Sequence, residues 1–312
     1  MNRSPLTVGA GLVIALAFPL ASGEAQRVRR DADRDYRATV DTSFAFDKRG
    51  TVALTIGSGD IVVTGWTRDQ IRIHASSEND NIRLDATSSR VTLELSNNYR
   101  SRGESRFEIS VPVGTRVIAR AQSGDVSIRG TKGEVEARTQ SGDITLEEAS
   151  DRIDISTLSG DVEASGLSGD VQLKSVNGDM IISHLRGDLE AESVSGSVVV
   201  RDAVSRYVRA HTTSGDLGYE GTIDTTGRYE LVTHSGDVKL AIPANAGAQL
   251  SISTWSGTIE SDFPITLKPG EHGIGSSQAK RFTFEIGKGG ARVTAETFSG
   301  DITISSTSKQ SR

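Results

Sequence analysis

The residues of this chain best placed to do chemistry are carboxylates at a fixed spacing. Asp60, Asp125, Asp143, Asp161, Asp170, Asp179, Asp188, Asp216, Asp237 and Asp301 each follow a glycine directly, most often within Ser-Gly-Asp. Such a series invites comparison with calcium-binding β-rolls, which are also built on nine-residue repeats. Those repeats set Asp two positions beyond a glycine, and calcium takes about six to eight oxygen ligands. Here one glycine stands per repeat with Asp directly after it, and Ser197 and Thr258 replace the Asp while the repeat continues. The series reads as turn-forming. No catalytic, cofactor-binding or metal-ligating residue is assigned from it.

The other candidates have looser patterns. His74, His184, His211, His234 and His272 include no HExxH-type pair. His211 and His234 precede consecutive Ser-Gly-Asp turns, so with Asp216 and Asp237 they could imitate a metal site on neighbouring coils. Surface histidine is the expectation. Arg186-Gly187-Asp188 spells an integrin-type tripeptide, but it stands in register with the Ser-Gly-Asp turns, so one replacement at its first position accounts for it. Polysaccharide-cleaving enzymes need convergent carboxylates on one face. The pairs Glu147/Glu148 and Glu190/Glu192 are scattered across solvent by strand alternation. Rings that could stack on sugars are few: Trp66, Trp255, Tyr99, Tyr207, Tyr219 and Tyr229. With no Ser-His-Asp order, phosphate loop or dinucleotide fingerprint, the chain reads as non-enzymatic.

Composition narrows the classes further. The 312 residues include no cysteine and 33 glycines, with 5% aromatics and a net charge of −6. Lack of cysteine excludes a disulfide scaffold, a thiolate metal site, a cysteine nucleophile and a diacylglycerol-type lipoprotein. No basic cluster is available to neutralise a run of phosphates, which argues against nucleic acid. Residues 1–25 read as an export signal peptide: Arg3, an apolar stretch over 6–20, then the small residues Ala21, Gly23 and Ala25. That stretch is short and glycine-rich against the roughly 20 apolar residues of a membrane helix. No later segment is apolar enough to span a bilayer, so no membrane span is expected after leader removal. Residues 26–38 mix Arg27, Arg29, Arg30 and Arg34 with Asp31, Asp33 and Asp35 and read as a flexible charged lead-in.

Repeats carry the fold. Gly124, Gly142, Gly160, Gly169, Gly178, Gly187 and Gly196 are nine or eighteen residues apart, and Gly133 fills the first gap. Apolar residues alternate between these turns. One series is Val126, Ile144, Val162, Met180 and Val198, and the other is Val135, Ile153, Val171 and Leu189. Period-two alternation between glycine turns predicts short half-buried strands. Two nine-residue units make one coil with two strands facing each other across a thin core. The expected fold is therefore all-β: a parallel β-solenoid, or flattened β-helix, with coils of about 18–21 residues and Ser-Gly-Asp turns. Irregular coils are expected over 39–118, regular ones over 119–221, longer ones with a cap over 222–305, and a tail over 306–312. Residues 76–81 and 96–105 read as variable loops, and 263–278 as an excursion. The region of Phe44 and Phe46 and the strand with Ile302 and Ile304 read as the end caps.

A resemblance follows from the motifs around the repeats. Val111-Pro112-Val113-Gly114-Thr115 precedes the regular run, and Ile242-Pro243-Ala244-Asn245-Ala246-Gly247 leads into Thr254-Trp255-Ser256-Gly257-Thr258-Ile259 and Ser261-Asp262-Phe263-Pro264. Gly287-Lys288-Gly289-Gly290-Ala291 then precedes Thr297-Phe298-Ser299-Gly300-Asp301-Ile302. This order resembles the bacterial putative-adhesin family of β-strand repeat proteins (DUF4097) over residues 40–305. The resemblance implies surface adhesion, with some relatives associated with envelope-stress signalling, and it brings no catalytic residues. The functional expectation is an exported adhesin-like scaffold, periplasmic or at the cell surface, presenting a polar surface to an envelope protein or a surface glycan. A periplasmic envelope-stress accessory or sensor protein is the alternative, and a polysaccharide-acting β-helix enzyme the third reading.

Overall fold

A computed structural model describes residues 26–28, 38–78, 81–96, 105–264 and 280–307; the expected leader and residues 265–279 lie outside them. The described residues form two long sheets, of 14 and 13 strands, and no helix. In the regular region each coil gives one strand to each sheet: Ser168–Asn177 to what we call the broad sheet, for example, and Met180–Ser183 to the narrow one.

Parallel pairing puts like positions of successive coils side by side. Val126 pairs with Ile144, then Val162, Met180 and Val198 in the narrow sheet. Val135 pairs with Ile153, then Val171 and Leu189 in the broad sheet. All nine are buried, so the two apolar columns face one another across a single core. Each such side chain contributes about 1.5–3 kcal/mol by leaving water. The molecule is the flattened parallel β-solenoid that the nine-residue period predicts. At its Ser-Gly turns Gly160 adopts a φ of 140°. A Cβ there would sit 2.1 Å from the Gly142 carbonyl oxygen, so close stacking of turns requires glycine as well.

A third inward column escapes the apolar pattern because it is polar. Thr139, Thr157, Ser175, Ser193, Thr212, Thr233, Thr297 and Thr254 are buried next to the Ser-Gly turns. The hydroxyls of Thr212, Thr233, Thr297 and Thr254 each donate to a turn-glycine carbonyl one coil away, at 3.0–3.1 Å. A small residue there lets the sheets close at the edge, and in these four coils its hydroxyl answers a carbonyl that the turn leaves over, whereas the hydroxyls of Thr157, Ser175 and Ser193 make no such bond.

Coils lengthen where the opposite edge changes. A register shift between Val200 and Ala203 accompanies the first longer step. Beyond it, Tyr219 and Tyr229 pack edge to face, with centroids 5.6 Å apart. The Tyr219 hydroxyl donates to the Thr222 carbonyl at 2.9 Å, and the Tyr229 hydroxyl donates to that of Ser205. Burial, reinforced by Tyr229, pushes the Tyr219 phenol well above its ordinary range.

At both ends the spatial order of coils departs from the sequence order, which corrects one expected cap. Strand Ile302–Thr307 is interior: it lies between Val238–Pro243 and Ile259–Ser261. Likewise Ala291–Ser299 lies between Arg228–Ser235 and Ala248–Ser256. The N-terminal end mirrors this. Thr51–Ser58 sits between Arg90–Ser96 and Arg116–Ser123, and Asp60–Trp66 between Ser105–Pro112 and Val126–Arg129. The two proline motifs are the steps over these inserted coils. Thr115 N–H donates to the Pro112 carbonyl at 3.0 Å, and Ala246 N–H to that of Pro243 at 2.9 Å. A hydrophobic period fixes which residues face inward but not which coil each one meets, so the exchange leaves no mark in the repeat.

Antiparallel strands finish the stack. Ala38–Ala45, carrying Phe44, pairs with Gln70–Ser77 at the narrow sheet's edge, as the cap expectation has it. At the other end Lys280–Ile286 covers Ala248–Ser256. Of the lead-in, Gln26–Val28 is a short strand antiparallel to Asn81–Ala86, and residues 29–37 lie outside the described residues. Backbone pairing to an open edge asks nothing of side-chain polarity, and composition is blind to it. The loop and excursion expectations fall largely outside the described residues.

Candidate functional site

All of the aspartates except Asp170 and Asp188, which pair in register on broad-sheet strands at the opposite edge, form a hydrogen-bond ladder along one edge of the solenoid. Asp143 N–H donates to Asp125 Oδ1 at 2.9 Å, Asp161 N–H to Asp143 Oδ1 at 2.8 Å, and Asp179 N–H to Asp161 Oδ1 at 2.8 Å. It continues through Ser197 to Asp216, Asp237, Asp301 and Thr258. Each carboxylate thus satisfies the turn N–H of the next coil. These aspartates stand in the turns, and their bonds run between coils rather than within a turn. Ser197 fits because its hydroxyl accepts the same bond, from Asp216 N–H at 3.4 Å, and Thr258 ends the ladder with its hydroxyl donating to Asp301 Oδ1 at 2.9 Å.

Beside this ladder, on the broad-sheet side of the same turns, runs a row of exposed side chains. In spatial order it reads Gln122, Gln140, Leu158, Val176, Val194, Thr213, His234, Phe298 and Trp255. Leu158, Val194, Phe298 and Trp255 are each about half exposed, at 53%, 51%, 49% and 53%. The aromatic members stack. Phe298 lies 4.9 Å from His234 with planes 12° apart, and 5.9 Å from Trp255 with planes 8° apart. The row occupies the position before Ser-Gly, a signal present in the sequence. Its aromatic end was hidden because Phe298 reaches its place only through the inserted coil.

The outer face of the broad sheet is a lattice of cross-coil ion pairs. Arg116 meets Glu134 at 3.2 Å, Arg120 meets Glu136 at 2.8 Å, Lys174 meets Glu192 at 3.1 Å, and Arg209 meets Glu190 at 3.5 Å. These pairs are solvent-exposed and add little stability. They do place charges of both signs across the face, held on strands at the coil spacing.

The expected alternatives separate in space. His211 Nε2 lies 3.3 Å from Glu230 on the sheet face, whereas His234 belongs to the aromatic stack. They sit on neighbouring coils but in different columns. His184 faces Asp202 at 3.7 Å, and His74 faces Asp41 at 3.7 Å; His272 lies outside the described residues. Among the described residues no group of three or more His, Cys, Asp or Glu is arranged to hold a metal. Arg186, Gly187 and Asp188 pair in register with Ser168, Gly169 and Asp170, and Asp188 accepts the Tyr207 N–H at 3.1 Å. Glu147 pairs with Arg129, while Glu190 and Glu192 face different cations, so neither carboxylate pair converges. Tyr219 and Tyr229 are buried, and Tyr99 lies outside the described residues. A shallow depression of about 360 Å³, lined by Asp41, Arg72, His74, Glu108 and Ser110, opens on the narrow sheet near its N-terminal edge.

One family model and two solved structures are similar to the chain. The family model described as Toastrack DUF4097 matches residues 48–305, and the chain belongs to that family. A solved "putative adhesin" from Bacteroides fragilis is 13% identical, with 85% of this chain and 96% of that one covered at a TM-score of 0.36. A "putative cell adhesion protein" from Clostridium sporogenes is 9% identical, with 86% of this chain and 100% of that one covered at a TM-score of 0.22. No curated protein matches. No helix among the described residues is long and apolar enough to cross a membrane.

Proposed function

We propose that the protein is an exported, non-enzymatic, adhesin-like scaffold that binds an envelope protein or a surface glycan through its polar outer face. The observation that supports this is the ion-pair lattice of the broad sheet, in which Arg120/Glu136, Lys174/Glu192 and Arg209/Glu190 repeat on a rigid frame. Such a face offers many equivalent polar contacts at one pitch, which suits a long or repetitive ligand better than a small one. The leader-like residues 1–25 direct the chain to the periplasm or the cell surface.

Two experiments test the reading. Fractionation of a two-membrane bacterium expressing the full chain should place it outside the cytoplasm; cytoplasmic retention contradicts export. Binding of the purified protein to immobilised envelope polysaccharides and envelope proteins should weaken at least about tenfold in Glu136→Lys/Glu190→Lys, because two cross-coil pairs become like-charge contacts. Unchanged binding by a folded variant contradicts use of this face.

A further inference from the structure

The exposed row from Leu158 to Trp255 is a largely apolar rail, broken only by Thr213 and His234, that the polar-face reading leaves unused. It covers seven coils, about 29 Å at the parallel-strand spacing, and carries on the order of 500 Å² of apolar surface. That lies within the range of the largest patch on a typical monomer. Together with its flanks it approaches the roughly 800 Å² that each partner contributes to a standard interface. We propose that this rail is a docking surface for a second copy of the same chain, with the two solenoids side by side and parallel about a two-fold axis along their length.

Three observations select this occupant. First, the aromatic faces are already taken. His234, Phe298 and Trp255 lie nearly parallel, each covering the next, so apart from the outer faces at the ends of the stack the rail presents ring edges and methyl groups. Sugars stack on ring faces, and this geometry covers both faces of Phe298 and one each of His234 and Trp255. Second, a second copy repeats at the same strand pitch, so like side chains meet at every coil without drift. Third, charge selects the parallel arrangement. An antiparallel pairing would set one aspartate ladder against the other. The parallel pairing instead sets the ladder of one copy against the next outward column of the broad sheet in the other.

That column sets basic side chains against the ladder at some coils, while Ser156 against Asp161 and Val232 against Asp237 add no charge. Arg120 opposes Asp125, Arg138 opposes Asp143, Lys174 opposes Asp179, and His211 opposes Asp216. Where the column holds Glu192, the ladder holds Ser197 in place of aspartate. Glu296 against Asp301 is the like-charge exception. Arg120, Arg138 and Lys174 already face glutamates of their own sheet, so they contribute alignment more than affinity.

The absence of cysteine makes the test direct. In the parallel arrangement every rail residue meets its own counterpart, so Val176→Cys and Thr213→Cys should each give a disulfide-linked dimer under mild oxidation. Glu163→Cys, exposed on the narrow sheet, should not exceed collisional cross-linking. The unmodified protein should sediment as a dimer at micromolar concentration. Val194→Lys should weaken association at least about thirtyfold, and the milder Leu158→Ser should weaken it as well; both positions are exposed, so circular dichroism should be unchanged. A protein that stays monomeric, whether its rail faces solvent or takes a peptide or glycan, overturns the proposal, as does a dimer indifferent to Val194→Lys. Cross-linking at only one of the two cysteine positions overturns the parallel arrangement. Ligand binding by the broad sheet is read separately, so failure here leaves the polar-face reading to its own test.

Discussion

Phe298 stacks on His234, although the whole coil that carries Trp255 lies between them in sequence. The contact exists because the last coil enters the stack one place in from the end, as the first coil does at the other end. Neither coil has a free face, so its strands cannot peel away without disturbing neighbours on both sides. The same exchange completes the aromatic part of the exposed rail.

The core register predicts sharply different tolerance at adjacent positions. Ile144 is buried in the narrow-sheet column, while Thr145 beside it points outward. Ile144→Asp should cost several kcal/mol by burying an unpaired charge, and Ile153→Asp should do the same from the opposite strand. Thr145→Asp should change the melting temperature little. Equal effects at 144 and 145 in thermal melts would contradict the register.

The ladder predicts a structural rather than ionic role for the aspartates. Asp161→Ala removes the acceptor of the Asp179 N–H and should cost about 1 kcal/mol. Asp161→Ser should retain part of that, since Ser197 occupies the equivalent place. Excess chelator should leave the β-type circular dichroism and the melting temperature unchanged. Calcium-dependent folding would promote the series to ligands, because binding energy would then supply folding energy.

Backbone conformation at the opposite edge predicts a stabilising substitution. Glu148, His184 and Asp202 adopt φ near 50°, in step with Gly130 and Gly166 at 66° and 65°. Left-handed backbone costs an L-residue about 1–2 kcal/mol. Glu148→Gly relieves this at a position with no ion pair of its own among the contacts described, and should raise stability by up to about 1 kcal/mol. A lower denaturation midpoint for Glu148→Gly would count against the strain.

Much of this architecture is legible in the sequence, and the gaps have physical causes. Val126, Ile144 and Val162 declare their column because an eighteen-residue coil returns each to the same face. The buried Thr139 and Thr212 do not, because a hydroxyl before a polar turn looks like more turn. Leu158, Val176 and Val194 could be read as a row from their place before Ser-Gly or Asn-Gly. The order His234, Phe298, Trp255 could not, since it depends on which coil meets which. The aspartates were recognised as turn residues, yet the inter-coil direction of their bonds is a three-dimensional fact.

Alkaline pH should weaken the protein through Tyr219. Burial raises its folded-state pKa above the ordinary phenol value of 10.0. Above about pH 10 the unfolded chain ionises there while the folded one stays neutral, so the unfolded state binds fewer protons and stability falls as pH rises. Tyr219→Phe loses the hydrogen bond to Thr222, costing about 1 kcal/mol at neutral pH. It should also show a shallower loss between pH 9 and 11 in urea melts. Equal slopes for both proteins would remove Tyr219 from the account.

The interleaved order of the end coils decides both the stability of the stack and the make-up of its exposed rail, and one pair of double variants tests it. Ser235 and Ser299 are lateral neighbours, and Ser256 lies one coil further out. All three are exposed, and the chain has no cysteine of its own. Under oxidation or with a short thiol cross-linker, Ser235→Cys/Ser299→Cys should close an intramolecular link. Ser235→Cys/Ser256→Cys, about two strand spacings or roughly 10 Å apart, should not. The reverse result, with 235 linking to 256 and not to 299, would mean that the coils stack in sequence order and would contradict the account.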